Sequence, residues 1–100
     1  MHRSCLTLLA PASIEEKLLD LLLDAVPDAP FASAPSFSHG ASHRRLSNLE
    51  QVMGRSACVQ VQILMNEQDL DALLLRLRDE FRGTGLRYWA SPLILEGEIE

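Results

Sequence analysis

Two leucine-rich stripes of helical period, each set between strand-like runs, constrain the fold of this chain more than any other feature. The first follows Ile14, Leu18, Leu21, Leu22 and Val26, at i, i+4, i+7, i+8 and i+12, and Leu19 and Leu23 widen it. The second follows Leu70, Leu73, Leu74, Leu77 and Phe81. Around them lie four strand-like segments. Cys5 to Leu9 is a first strand ended by Pro11. Phe31 to Ser38 is a weaker one that contains Pro35. Proline cannot donate to a ladder, so this run belongs at an edge or a bulge. Ala57 to Met65 is the clearest strand, with Val59, Val61, Ile63 and Met65 alternating against Cys58, Gln60, Gln62 and Leu64. Leu86 to Ile94 is the last, interrupted by Pro92. The order is β-α-β-β-α-β. Two split βαβ units with right-handed crossovers predict an α+β, ferredoxin-like plait: a four-stranded antiparallel sheet with both helices on one face.

Local signals place the helix ends. Ser13-Ile14-Glu15-Glu16 reads as a capping box for the first helix, which Pro27 stops near Val26. Asn66 reads as the cap of the second helix, with Glu67 and Asp69 in the first turn, and Gly83-Thr84-Gly85 ends it. In the plait the first and third strands are antiparallel neighbours, so Cys5 and Cys58, each at a strand start, fall at opposite ends. Roughly 16 Å would part them, beyond the ~7 Å limit on Cα separation for a disulfide. With no CxxC and no zinc-finger spacing, reduced thiols and a cytoplasmic location are expected.

One hundred residues at 47% hydrophobic content suit one domain, residues 1–100, with a core of its own. No apolar run is long enough to insert in a membrane. A net charge of −5 argues against general nucleic-acid binding, because phosphate backbones need a basic face. The helices leave one sheet face open. That face carries Leu64 and several amides of the third strand, and Tyr88 and Trp89 of the fourth point to opposite sides. Such a face commonly meets another subunit, so a homo-oligomer is expected.

The polar stretch joining strands two and three, His39 to Ser56, is the candidate working part. It is far longer than the usual connection of about 4–6 residues. Arg44, Arg45 and Arg55 stand against one acid, Glu50, so the loop carries about +2 and the remaining chain about −7. Guanidinium forks match phosphate and carboxylate oxygens, which makes these arginines candidate anion ligands; a merely solvated loop is the plainer alternative. His39 and His43 have an H-x3-H spacing that could serve a divalent transition metal, or the histidines could hydrogen-bond to hold the loop base. Leu46, Leu49, Val52 and Met53 allow a short amphipathic helix within the loop. No nucleophile–base–acid set stands out, so a non-enzymatic protein is expected.

This architecture, with its loop reading Ser38, His39-Gly40, His43, Leu46, Glu50-Gln51-Val52 and Gly54-Arg55, and with Glu80 to Pro92 reading EFRGTGLRYWASP, resembles the PII-like signalling proteins. It is most similar to a small uncharacterised bacterial branch of that superfamily. The resemblance covers essentially the whole chain. It implies a trimer with ligand clefts between subunits, and a T-loop, here residues 39–56, that folds over ligand or docks on a target. It also implies that Gly83-Thr84-Gly85 corresponds to a phosphate-cradling turn, with Arg87 as a phosphate partner. The turn here is shorter than the family's and lacks its lysine, and the loop lacks the tyrosine that is uridylylated. Members of the branch are associated with heavy-metal efflux systems, so a membrane transporter is an implied partner.

Two functions remain in view. One is a regulatory protein whose loop 38–56 responds to a small anionic ligand such as a nucleotide and controls a partner protein. Its ligand-binding candidates are His39, Gly40, His43, Arg44, Arg45, Gln51, Gly54, Arg55, Gly83, Gly85 and Arg87. The other is a transition-metal sensor or buffer built on His39 and His43.

Overall fold

In the computed structural model, residues 2–40 and 55–100 are described. Strand β1 (Arg3–Pro11) leads through a 3-10 turn (Ala12–Ile14) into helix α1 (Glu15–Ala25). Strands β2 (Phe31–His39) and β3 (Arg55–Asn66) follow. A second 3-10 turn (Glu67–Asp69) opens helix α2 (Leu70–Phe81), and strand β4 (Arg87–Pro92) completes the sheet. The strands lie in the order β2-β3-β1-β4, every neighbouring pair antiparallel. This is the ferredoxin-like α+β plait, and β2, with Pro35, is at an edge as its proline requires.

The core forms where the period-two strands meet the two stripes. Leu6, Leu8 and Ala10 of β1 and Val59, Val61, Ile63 and Met65 of β3 alternate onto the helix side. They pack with Leu18, Leu21 and Leu22 of α1 and Leu73, Leu77 and Phe81 of α2. Leu70, Leu74 and Leu19 lie at the margin of this cluster. Leu23, expected to widen the first stripe, is instead 62% exposed. It falls past the edge of the arc that faces the sheet, because a stripe four residues wide exceeds what one contact line can cover.

Both predicted caps are corrected. No side chain caps α1, whose first turn is preceded by the 3-10 turn that begins directly after Pro11. Ser13 thus lies inside that turn, where i→i+3 bonds take the place of side-chain capping, and Glu15 and Glu16 face the positive helix end. Asn66 likewise makes no cap hydrogen bond. Its Oδ1 accepts from Arg3 Nη1 at 3.0 Å, tying β3 to its register partner on β1.

The end of α2 matches its glycines. Gly83 and Gly85 have φ of +80° and +90°. Thr84 fills the corner between them: its amide and hydroxyl donate to the Phe81 carbonyl at 3.2 and 2.7 Å, and its hydroxyl accepts from the Leu86 amide at 3.3 Å. A Cβ at Gly83 would meet no atom within 4 Å, so Gly83→Ala carries a purely conformational cost. The expected loss is about 1 kcal/mol, read as a lower midpoint in urea denaturation.

Strand β4 is shorter than the expected Leu86–Ile94, its last strand residue being Pro92 opposite Ser4. Cys5 pairs with Leu64 and Cys58 with Pro11. Six rows separate the two thiols, roughly 20 Å, and both are free. Burial pushes the Cys58 thiol above its ordinary range, opposed by a Ser36 hydrogen bond. Among the described residues, no helix is long and apolar enough to cross a membrane.

Candidate site at the base of the β2–β3 loop

Strands β2 and β3 run past the end of β1. The last β1 pair joins Pro11 to Cys58, whereas the β2–β3 ladder continues three rows further, to His39 opposite Arg55. That overhang projects roughly 10 Å and carries the loop. The loop residues among the candidate ligands, His43, Arg44, Arg45, Gln51 and Gly54, lie outside the described residues, as does the expected short helix from Leu46 to Met53.

The described part of the base is compact. Residues 37, 39, 55 and 57 alternate to one side of the hairpin, with Phe37 opposite Ala57 and His39 opposite Arg55. Phe37 and Arg55 are therefore diagonal neighbours, within reach of each other's long side chains. The Arg55 guanidinium carbon sits 4.2 Å from the centre of the Phe37 ring, a cation–π stack. Arg55 Nε is buried and has no hydrogen-bond partner among the described residues. A buried unpaired donor on a charged group is costly, and an arriving anion or carbonyl oxygen would satisfy it. Phe37 went unmarked as a site residue in the sequence. The signal available was its period-two spacing from His39, which puts both on the Arg55 side.

His39 is exposed at the mouth of the hairpin, and Gly40 follows it in a bend with φ of +73°. Among the described residues, no group of three or more His, Cys, Asp or Glu side chains comes together as a metal site.

Gly83, Gly85 and Arg87 lie at the same end of the sheet but not at the same place. Arg87 pairs with Leu9, which pairs with Gln60 on its other side. Five rows and two strand spacings separate Arg87 from Arg55, roughly 17 Å along the strands and 10 Å across them. The alternation also puts the two arginines on opposite faces: Arg87 shares the open face with Leu9, while Arg55 is on the side of Val59 and Val61. One chain does not bring the loop base and the glycine turn to one small ligand. A cavity of about 490 Å³ lies at the opposite end of the sheet, lined in part by Arg3, Asn66, Asp69 and Arg76. None of the described candidate ligand residues lines it, and its arginines are engaged, Arg3 with Glu96 and Arg76 with Asp24, each at 2.8 Å.

Comparison with known proteins places the chain. The family model DUF3240, described as a protein of unknown function, matches residues 1–100, and the chain belongs to that family. No curated protein matches it. Among solved structures, a DUF3240 family protein from Shewanella baltica superposes with a TM-score of 0.79 at 18% identity, covering 98% of this chain and 97% of that one. CPII from Thiomonas intermedia, a nitrogen regulatory PII-like protein bound to ADP, AMP and bicarbonate, gives 0.75 at 16% identity, with 99% and 98% covered. The periplasmic divalent cation tolerance protein CutA from Archaeoglobus fulgidus gives 0.71 at 11% identity, with 96% and 88% covered. At these identities the likeness is one of fold, and the fold is PII-like.

Proposed function

We propose that this DUF3240 protein is a non-enzymatic regulator of PII type, in which loop 38–56 responds to a small anionic ligand and controls a partner protein. The observation that carries this reading is Arg55: a guanidinium stacked on Phe37 at the loop base, with a buried Nε that has no partner among the described residues. Its fork is held in one orientation by the ring, so little side-chain entropy remains to be lost on binding an oxyanion. Arg44 and Arg45 add positive charge in the same loop. The nucleotide and bicarbonate held by CPII are the ligand classes to try first.

The protein works as a cytoplasmic homotrimer in this proposal. Gly83, Gly85 and Arg87 of one copy would then complete a cleft with the loop base of another, since within one chain Arg87 and Arg55 lie on opposite faces. The loop acts by population shift: the ligand favours one loop arrangement by as much as it binds that arrangement better. A heavy-metal efflux transporter is the proposed target of the loop, on resemblance to the branch.

A thermal-shift series tests the ligand. Adenine nucleotides and bicarbonate form one arm and divalent transition metals the other. A ligand selective for the native state stabilises it by about 2.7 kcal/mol at a hundredfold excess over Kd. The expected result is a shift with an anion that Arg55→Ala removes. A shift with metal alone, lost in His39→Ala with His43→Ala, would replace this reading with metal sensing.

A further inference from the structure

Ile94, Leu95 and Ile99 are 102%, 89% and 99% exposed, three aliphatic side chains that the described fold leaves wholly in water. They belong to the tail that follows β4, Leu93 to Glu100, which also carries Glu96, Glu98 and Glu100. Its path is fixed at its root. The Leu93 amide donates to the Arg3 carbonyl at 3.0 Å, extending the β1–β4 ladder by one row. Glu96 then accepts from Arg3 Nε at 2.8 Å and Nη2 at 3.1 Å. Arg3 also lines the cavity at this end of the sheet together with Met65, Asn66 and Leu73, so the tail is pinned at that end. Beyond that anchor its aliphatic side chains find no cover on their own chain among the described residues.

The open face is suited to receive such a segment. Cys5, Leu9, Leu64 and Trp89 lie on it among amides and hydroxyls. Among the described strand residues on this face, the charged side chains are Arg3 and Arg87, and none is acidic. A face of four strands about 4.8 Å apart and about 30 Å long offers on the order of 600 Å². That is short of the ~800 Å² per partner of a standard interface. An acidic aliphatic tail supplies both the missing area and the complementary charge.

We propose that the tail Leu93–Glu100 packs across the open sheet face of a second copy of this chain and clasps the homo-oligomer. The proposal rests on the self-association put forward above and names the segment that closes it. Burial of Ile94, Leu95 and Ile99 drives the contact. Glu98 and Glu100 meet the Arg87 side of the neighbouring face.

Sedimentation equilibrium of the full chain, of a form ending at Leu93, and of Leu95→Glu with Ile99→Glu tests it. The tail contributes nothing to the core of its own chain, so far-UV circular dichroism of both variants should match wild type. The expected result is an oligomeric wild type and variants whose dissociation constant is higher by about tenfold or more. Arg87→Glu should weaken assembly in the same direction. An oligomeric wild type with variants that assemble at the same concentration overturns the clasp alone. A wild type that sediments as a monomer at every concentration overturns the self-association as well.

Discussion

Leu22→Ala should lower the unfolding free energy by about 3–5 kcal/mol, a large part of the ~5–15 kcal/mol that holds a domain folded. Leu22 is fully buried where α1 meets the sheet, in one cluster with Leu18, Val61, Ile63 and Leu77. Removing its isobutyl group forfeits the transfer of that surface from water. It also leaves a void, because neighbours from two helices and two strands cannot all collapse into it. Leu23 supplies the control on the same helix. It is mostly in solvent, so Leu23→Ala should stay within about 0.5 kcal/mol of wild type. Urea denaturation at one fixed protein concentration checks the pair, with a displaced midpoint and unchanged slope for Leu22→Ala. Equal losses at both positions would mean that α1 packs by a different face.

Arg55→Ala should weaken anion binding by about tenfold or more, since charge-assisted bonds from a guanidinium contribute roughly 1.5–3 kcal/mol. The cost to stability should be small, because a cation–π pair near the surface contributes only about 0.5–1 kcal/mol. The two effects therefore separate. Arg55→Lys keeps the charge but loses the planar fork and its fit on the Phe37 ring, so an intermediate affinity is expected. Phe37→Ala keeps the guanidinium but frees it, raising the entropy lost on binding, and should weaken affinity by less than Arg55→Ala. Isothermal titration calorimetry with a single nucleotide across the four proteins orders them. If Phe37→Ala binds as wild type does, the ring is packing only and the preorganisation argument fails.

The sheet was legible because its signals are local and repeat. Val59, Val61, Ile63 and Met65 needed only their own alternation to be assigned to the buried side, and that is where they lie. Pro35 confined β2 to an edge or a bulge from its missing donor alone, and the strand lies at an edge. The capping expectations failed at Ser13 and Asn66 because a motif read over four residues does not register what the preceding turn does. A 3-10 turn precedes each helix, and Arg3, 63 positions away, engages Asn66. Leu23 was misplaced because a stripe of leucines does not say where the contact arc ends.

The site was legible only in part. His39 and Arg55 could be named as loop residues, yet their pairing needs the β2–β3 register, which no local pattern supplies. The Phe37–Arg55 stack depends on the same register. So does the separation of Arg87 from Arg55 onto opposite faces, which linear proximity to a glycine turn could not foretell. The exposed aliphatic residues of the tail became meaningful once β4 was seen to end at Pro92.

The central claim is that the β2–β3 loop base holds a small anion through Arg55. Calorimetric titration of ADP, AMP and bicarbonate into wild type and Arg55→Ala tests it most directly. Saturable binding of at least one of these anions by wild type, weakened about tenfold or more in the variant, is the predicted result. Equal binding by the two proteins, or no binding by either, would contradict it.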